Sequence, residues 1–168
     1  MSHNIPIQVV DEHDQIIGAD LKSVVHSKGQ YHRLARVLLF DQHGRVLLQK
    51  RTQSLSIWPG RWDTSAAGHV DFDENYETTA MREMKEEIGV ETKLERVAIY
   101  KASDRHGEIL LRRFTAVFKA SIDSNTTFIL QPDEVSEVRW FDKIELGEMI
   151  KKSPESFTQG VIDTYKYI

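Results

Sequence analysis

Three carboxylates, Glu83, Glu86 and Glu87, stand in a stretch that has no Pro and no Gly between Asn75 and Ile88. Asn75 suits a helix N-cap and Gly89 suits a left-handed closing residue, so the spacing predicts a helix over 75–88. Ala80, Met84 and Ile88, with Met81 beside them, give that helix an apolar stripe. The three glutamates then fall within roughly 100° of arc on one face. Like charges three and four residues apart repel. Lys85 points elsewhere, and Arg82 borders the cluster, where it can pair with one carboxylate. A hard divalent cation relieves what remains: Mg²⁺ takes oxygen ligands, keeps several waters and is usually shared with substrate phosphates. The bland alternative is a solvated acidic face.

The loop before the helix narrows the choice. Gly68 lets the backbone come close to a ligand and offers its carbonyl as a further oxygen donor. Glu74 lies at the helix start, favoured there by the dipole, and can reach Arg82 two turns on. Gly68, Glu74, Arg82, Glu83, Met84, Glu86, Glu87, Gly89 and Val90 occupy fixed places within twenty-three residues. In this the stretch resembles the signature box of the Nudix hydrolase superfamily, a specific pattern. The resemblance implies that Glu83, Glu86 and Glu87 hold metal or activate water, and that Arg82 and Glu74 hold the loop–helix geometry. It implies a hydrolase that cleaves the diphosphate bond of a nucleoside diphosphate-type or related organic diphosphate with Mg²⁺-activated water, Mn²⁺ being the alternative metal. The expected metal ligands are Glu83, Glu87, Glu86 and the Gly68 carbonyl. Glu86, Glu87 and Arg82 form the expected catalytic set, with the base left open between the two glutamates.

A further resemblance narrows the branch. Trp58-Pro-Gly-Arg-Trp62 and Ser65-Ala-Ala-Gly-His69 look like the bacterial isopentenyl-diphosphate isomerases of the same superfamily. By position His32 and His69 match isomerase metal ligands, and His26 lies one residue from a third. Isomerisation needs a proton added to one carbon and removed from another. Ala67 stands where the isomerases have a catalytic Cys, and Leu111 and Arg113 stand where they have acidic residues. A methyl group carries no proton and an always-protonated Arg is a poor base. An isomerase-like enzyme and a non-catalytic nucleotide sensor are therefore the alternatives. If His26, His32 and His69 converged, they would suit a second, transition metal; on separate elements without acidic partners, they are expected to be unrelated polar residues. Arg112, Arg113, Arg51 and Lys50 are expected to be ordinary strand-edge charges, and Trp58 and Trp62 loop anchors.

These residues need a scaffold. Ile7–Asp11 and Gln15–Asp20 read as a hairpin extension (residues 1–30), expected to cover an edge without chemistry. Leu21–Gln30 is ambiguous. Strands are expected at 31–40, 45–51, 62–67, 94–101, 108–120 and 135–141, and helices at 144–152 and 157–167. The resemblance implies an α+β (α/β/α) fold, a mixed sheet sandwiched between helices. The whole chain, 1–168, reads as one domain, with the box at 68–90.

Composition sets the outer limits. The chain has 168 residues, 40% apolar and 29% charged, a formal net charge of -4 and no Cys. That suits a globular domain able to bury a core. The absence of Cys excludes disulfides, thiolate catalysis and Cys-ligated metal. Net acidity argues against non-specific nucleic-acid or anionic-membrane binding. The start has no basic flank or long apolar run, so a secretory leader is not expected and a cytoplasmic location is. The expected partner is a small-molecule diphosphate; a homodimer is compatible with the resemblance.

Overall fold

The computed structural model describes residues 5–168, so the reading of the chain start as free of a leader falls partly outside it, at residues 1–4. Ile7–Val10 (β1) and Ile16–Asp20 (β2) pair antiparallel, forming the expected hairpin. The ambiguous stretch resolves into a short helix, Lys22–Ser27 (α1). Tyr31–Phe40 (β3) follows, then Val46–Arg51 (β4) after a turn over Asp41–Gly44.

The single strand expected over 62–67 is instead two short ones, Trp62–Asp63 (β5) and Ala66–His69 (β6). Ser65 breaks the run between them: its hydroxyl donates to the Leu47 carbonyl and accepts the Leu39 N–H, so it bonds to two different strands. The acidic helix is Tyr76–Ile88 (α2). Asn75 caps it through a reciprocal pair with Thr78, and Gly89 closes it at φ 72°. A Cβ on Gly89 would fall 2.8 Å from that of Ile129, so the close crossing of the later chain also needs Gly there.

Glu95–His106 (β7) and Ile109–Ser121 (β8) form a longer hairpin than expected, because the turn is only Gly107–Glu108. Val135–Phe141 (β9) pairs with β4. Lys143–Lys152 (α3) and Gln159–Thr164 (α4) complete the chain. The closing helix starts later than its apolar spacing suggested. Phe157 is extended and bridges to Trp62, with the Thr158 N–H donating to the Trp62 carbonyl.

The sheet is mixed. β3 runs parallel to β8, from Tyr31 opposite Arg112 to Phe40 opposite Ser121, and antiparallel to β1, β4 and β6. Side chains alternate along a strand, so β3 feeds two cores. Ala35, Val37 and Leu39 pack with Ala80, Met84 and Ile88 of α2. Leu38 packs on the other face with Phe141, Leu146, Phe157 and Val161. By the same alternation His32 and Arg36 of β3, Arg113 and Thr115 of β8, and His69 of β6 share the face away from α2. The mixed sheet with helices on both faces is the architecture that the resemblance implied.

Candidate active site

Helix α2 delivers its carboxylates to very different surroundings. Glu87 is 4% exposed, and its Oε2 accepts from Gln49 Nε2 at 2.8 Å and from the Ala67 N–H at 3.0 Å. Burial raises its pKa well above the usual range, and the neighbouring Glu83 charge raises it further. Glu83 is one turn back. Burial pushes it up to about 7, although the Arg82 guanidinium beside it pulls the other way. Glu86 is exposed and meets Arg82 at 3.4 Å. Glu134, on the segment leading to β9, adds negative charge beside Glu83 and Glu87.

Arg82 organises the near side of this cluster. Its guanidinium donates to Glu74 at 2.8 and 2.9 Å, to Glu83 at 2.7 Å, and to the His69 carbonyl at 3.4 Å. Glu74, held also by the Thr79 hydroxyl at 2.6 Å, reaches Arg82 as its position predicted. Lys85 turns away to Glu91. Gly68 permits a close approach, and the group that approaches is Glu83: a Cβ there would lie 1.9 Å from Glu83 Oε1. The N-terminal piece does more than cover an edge. Gln8 donates to the carbonyls of Phe72 and Glu74 and so braces the loop ahead of α2, while α1 supplies Lys22 and His26.

His26, His32 and His69 are not unrelated. Their ligand atoms lie within 4.8 Å of one another, which overturns the expectation that they sit apart. The parallel β3–β8 pair and the antiparallel β3–β6 pair bring His32 and His69 to one face, and α1 folds His26 back onto them. Burial holds His26 down at about 4 and His32 at about 3, and His69 well below its usual value, so all three are neutral at pH 7. His32 Nδ1 faces the Gln30 carbonyl at 3.1 Å, which makes Nδ1 the donor and leaves Nε2 a free lone pair. The Nε2 atoms of His26 and His32 are buried without a protein partner. Three neutral imidazoles with free nitrogens suit a transition metal. Arg113, whose charge is felt at all three rings, stands against a cation, and its pairing with Asp104 offsets that charge.

The remaining basic residues have partners within the chain but are not the strand-edge charges expected, because β4 and β8 are interior strands and Arg113 is buried against Asp104. Arg51 donates to the Ile57 and Trp58 carbonyls and lies 3.7 Å from Asp63. Lys50 sits over the Trp62 ring, and Arg112 over Tyr31. Trp62 is buried edge-on against Phe141, an anchor rather than a ligand platform. Trp58 lies at φ 54°, covered by Arg61 and touching His106. Ala67 uses its N–H for Glu87, and Leu111 is buried. Sequence reasoning missed Gln49, Lys22, Glu134, Asp104 and the buried Arg36–Asp63 pair. The last had a signal: Arg36 is a lone charge inside the apolar run of β3.

Comparison with known proteins bears on this geometry. A NUDIX domain model matches residues 30–160. The isopentenyl-diphosphate Delta-isomerase 2 of Photorhabdus laumondii is 33% identical over 152 residues, which span 89% of this chain and 84% of that protein. A prenyl-diphosphate phosphatase of Methanosarcina mazei is 28% identical over 167 residues, 95% of each chain. A crystal structure of a Deinococcus radiodurans protein superposes with a TM-score of 0.79 at 23% identity, over 96% of this chain and 98% of that one. At that identity the superposition speaks for the fold alone.

Proposed function

The chain belongs to the NUDIX family, on a branch similar to the isopentenyl-diphosphate isomerases, and from that premise we propose that it is a Mg²⁺-dependent hydrolase of an organic diphosphate. The observation that carries this reading is the buried pair Glu83 and Glu87. Burial drives both carboxyls toward the neutral form, helped by Glu83 and Glu134 at Glu87 and by Glu134 and Glu86 at Glu83, which is a costly arrangement for a protein that does not use it. Oxygen donors of this kind fit a hard divalent cation. Glu83, Glu87 and Glu86, with the Gly68 carbonyl, would hold it. When bound, Mg²⁺ neutralises the diphosphate and acidifies a water.

The chain's own residues do the rest. Gln49 and the Ala67 N–H hold Glu87 by Oε2, leaving Oε1 for the site. Arg82 and Glu74 fix Glu83 against Gly68. A water attacks one phosphorus, the bridging P–O bond breaks, and the water's proton passes to Glu86 or Glu87. The Methanosarcina mazei relative's described action on prenyl diphosphates supports diphosphate cleavage as the reaction class. The test is a panel of nucleoside, sugar and prenyl diphosphates assayed for Mg²⁺- and Mn²⁺-dependent product release. Release that is absent from every substrate with either metal sinks the reading.

A second reading, isomerisation, is favoured by the histidine cluster and by the similarity to the isomerases. Against it, Ala67 carries no proton and Arg113 is tied to Asp104. Deuterium incorporation into isopentenyl diphosphate from heavy water would decide for it.

A further inference from the structure

Trp58 is held in a backbone conformation that its side chain opposes. Among the described residues the non-glycine positions with positive φ are Asp14, at 62°, and Trp58, at 54°. A short polar Asp tolerates that region, but a bulky residue does not. Pro59 follows, and a residue before Pro is pushed toward extended conformations, so two local preferences are overridden at once. Such strain persists only where the surroundings impose it, and it gathers at ligand clamps and moving segments.

Two sets of contacts impose it. Arg51 Nη2 and Nε donate to the Ile57 carbonyl at 2.7 and 3.1 Å, and Nε reaches the Trp58 carbonyl at 3.2 Å. The Arg61 guanidinium lies 4.3 Å from the indole centre, and the His106 ring meets the indole edge-on at 4.7 Å. His106 Nε2 also donates to the Ser56 carbonyl at 3.1 Å. The tip of the loop 52–61 is thus tied back to the end of β7.

The base of the loop belongs to the candidate site. Gln49, which holds Glu87 at 2.8 Å, stands two residues before Arg51 on β4. The Thr52 N–H donates to the Glu134 carbonyl at 3.0 Å, and Gln131, which opens the same turn, donates its N–H to the Glu87 carbonyl at 2.9 Å. The Arg51 N–H joins the two ends of the loop by donating to the Arg61 carbonyl at 2.9 Å. A compact loop with joined ends is a form that often carries function.

We propose that the loop 52–61 is a strap beside the Glu83–Glu87 site, latched back by Trp58 on His106 and Arg61, and that Trp58 closes on the organic group of a bound diphosphate. The proposal rests on the diphosphate-hydrolase reading of that site. On closing, Trp58 leaves the left-handed region for the extended one that Pro59 favours. Its indole exchanges His106 and Arg61 for the ligand. Relief of strain and the new contact stabilise the closed form, and the lost latch opposes it, so the ligand tips the balance. Arg51 keeps Ile57 in place as the pivot.

Two measurements test this. Trp58→Gly and Trp58→Ala both remove the indole, but only Gly accepts a φ of 54° without strain. Trp58→Gly is expected to melt about 2 °C or more above Trp58→Ala. Equal melting, or Ala above Gly, overturns the proposal. His106→Ala removes the latch and leaves the carboxylates untouched. With the best substrate of the diphosphate panel it is expected to lower KM at least about threefold, because the open form loses a contact that competes with the ligand. A residue that merely anchors the loop would leave KM unchanged or raise it, and either result overturns the proposal. Should the panel give no hydrolysis, the diphosphate reading fails, and the strap stands or falls on the melting order.

Discussion

Gln49 and Glu87, from β4 and α2, meet in a buried hydrogen bond of 2.8 Å that, with the Ala67 N–H, occupies one carboxylate oxygen completely. Both donors favour the ionised carboxylate against the burial that opposes it. On the hydrolase reading Gln49 is a positioning residue, holding Glu87 Oε2 and so fixing which way the carboxyl turns. Replacing it with Leu, of similar size, should lower kcat by about 10–100-fold with little change in melting temperature, the usual cost of losing a group that orients a ligand. Steady-state kinetics beside a melting curve checks this.

Gly68→Ala tests the close contact on the other carboxylate. The new methyl group would overlap Glu83 at 1.9 Å from Oε1 and 2.1 Å from Cδ. The Glu83 side chain is only 13% exposed and is held by Arg82 at 2.7 Å, so the added methyl should push its carboxylate aside and separate it from Glu87. Displacement of about 1 Å can cost on the order of 100-fold in rate. The measurement is Mg²⁺-dependent turnover in a variant whose circular dichroism matches the parent.

Much of the site was legible because it is local in sequence. Asn75, Gly89 and the i, i+4 stripe set helix α2, and the box residues Glu74, Arg82 and Glu83 lie within nine positions and meet as the helix dictates. What stayed hidden depends on long-range register. Nothing near His32 announces that β6 will set His69 beside it, or that α1 will fold His26 onto both. Gln49 and Glu134 are ordinary polar residues until β4 and β9 pair. The two misplaced boundaries share one cause: Ser65 and Phe157 follow tertiary bonds rather than local propensity.

The buried pair Arg36–Asp63, at 2.5 Å, ties the central strand β3 to β5. Thr158 donates to the same carboxylate, and Gly160 leaves room for the guanidinium, which an added Cβ would meet at 2.0 Å. Arg36→Leu strands a buried carboxylate. The expected loss is about 3–5 kcal/mol in urea unfolding. Arg36→Leu combined with Asp63→Asn should recover part of it, since no charge is then left unpaired.

The imidazole cluster should make the metal-free protein acid-labile. His26 and His32 are held down at about 4 and about 3, whereas an unfolded His titrates near 6.5. As pH falls through that unfolded value the unfolded state takes up protons that the folded state refuses, so stability declines from about pH 6.5 downward. Glu83, held up at about 7, acts in the opposite sense below neutrality, and for that reason the comparison must be with a variant. His26→Gln with His32→Gln should show a shallower loss of stability between about pH 6.5 and 4.5 than the parent in denaturant titrations with EDTA present. Parallel curves would show that the rings titrate normally.

The most direct test concerns the carboxylate at the centre of the site. Glu87→Gln keeps the shape and removes the charge. Product release from the best substrate of the panel, measured against Mg²⁺ concentration, should fall by at least about 100-fold in kcat, with the parent's rate itself abolished by EDTA. A variant within about twofold of the parent, or a parent rate that survives removal of all divalent metal, would contradict the account.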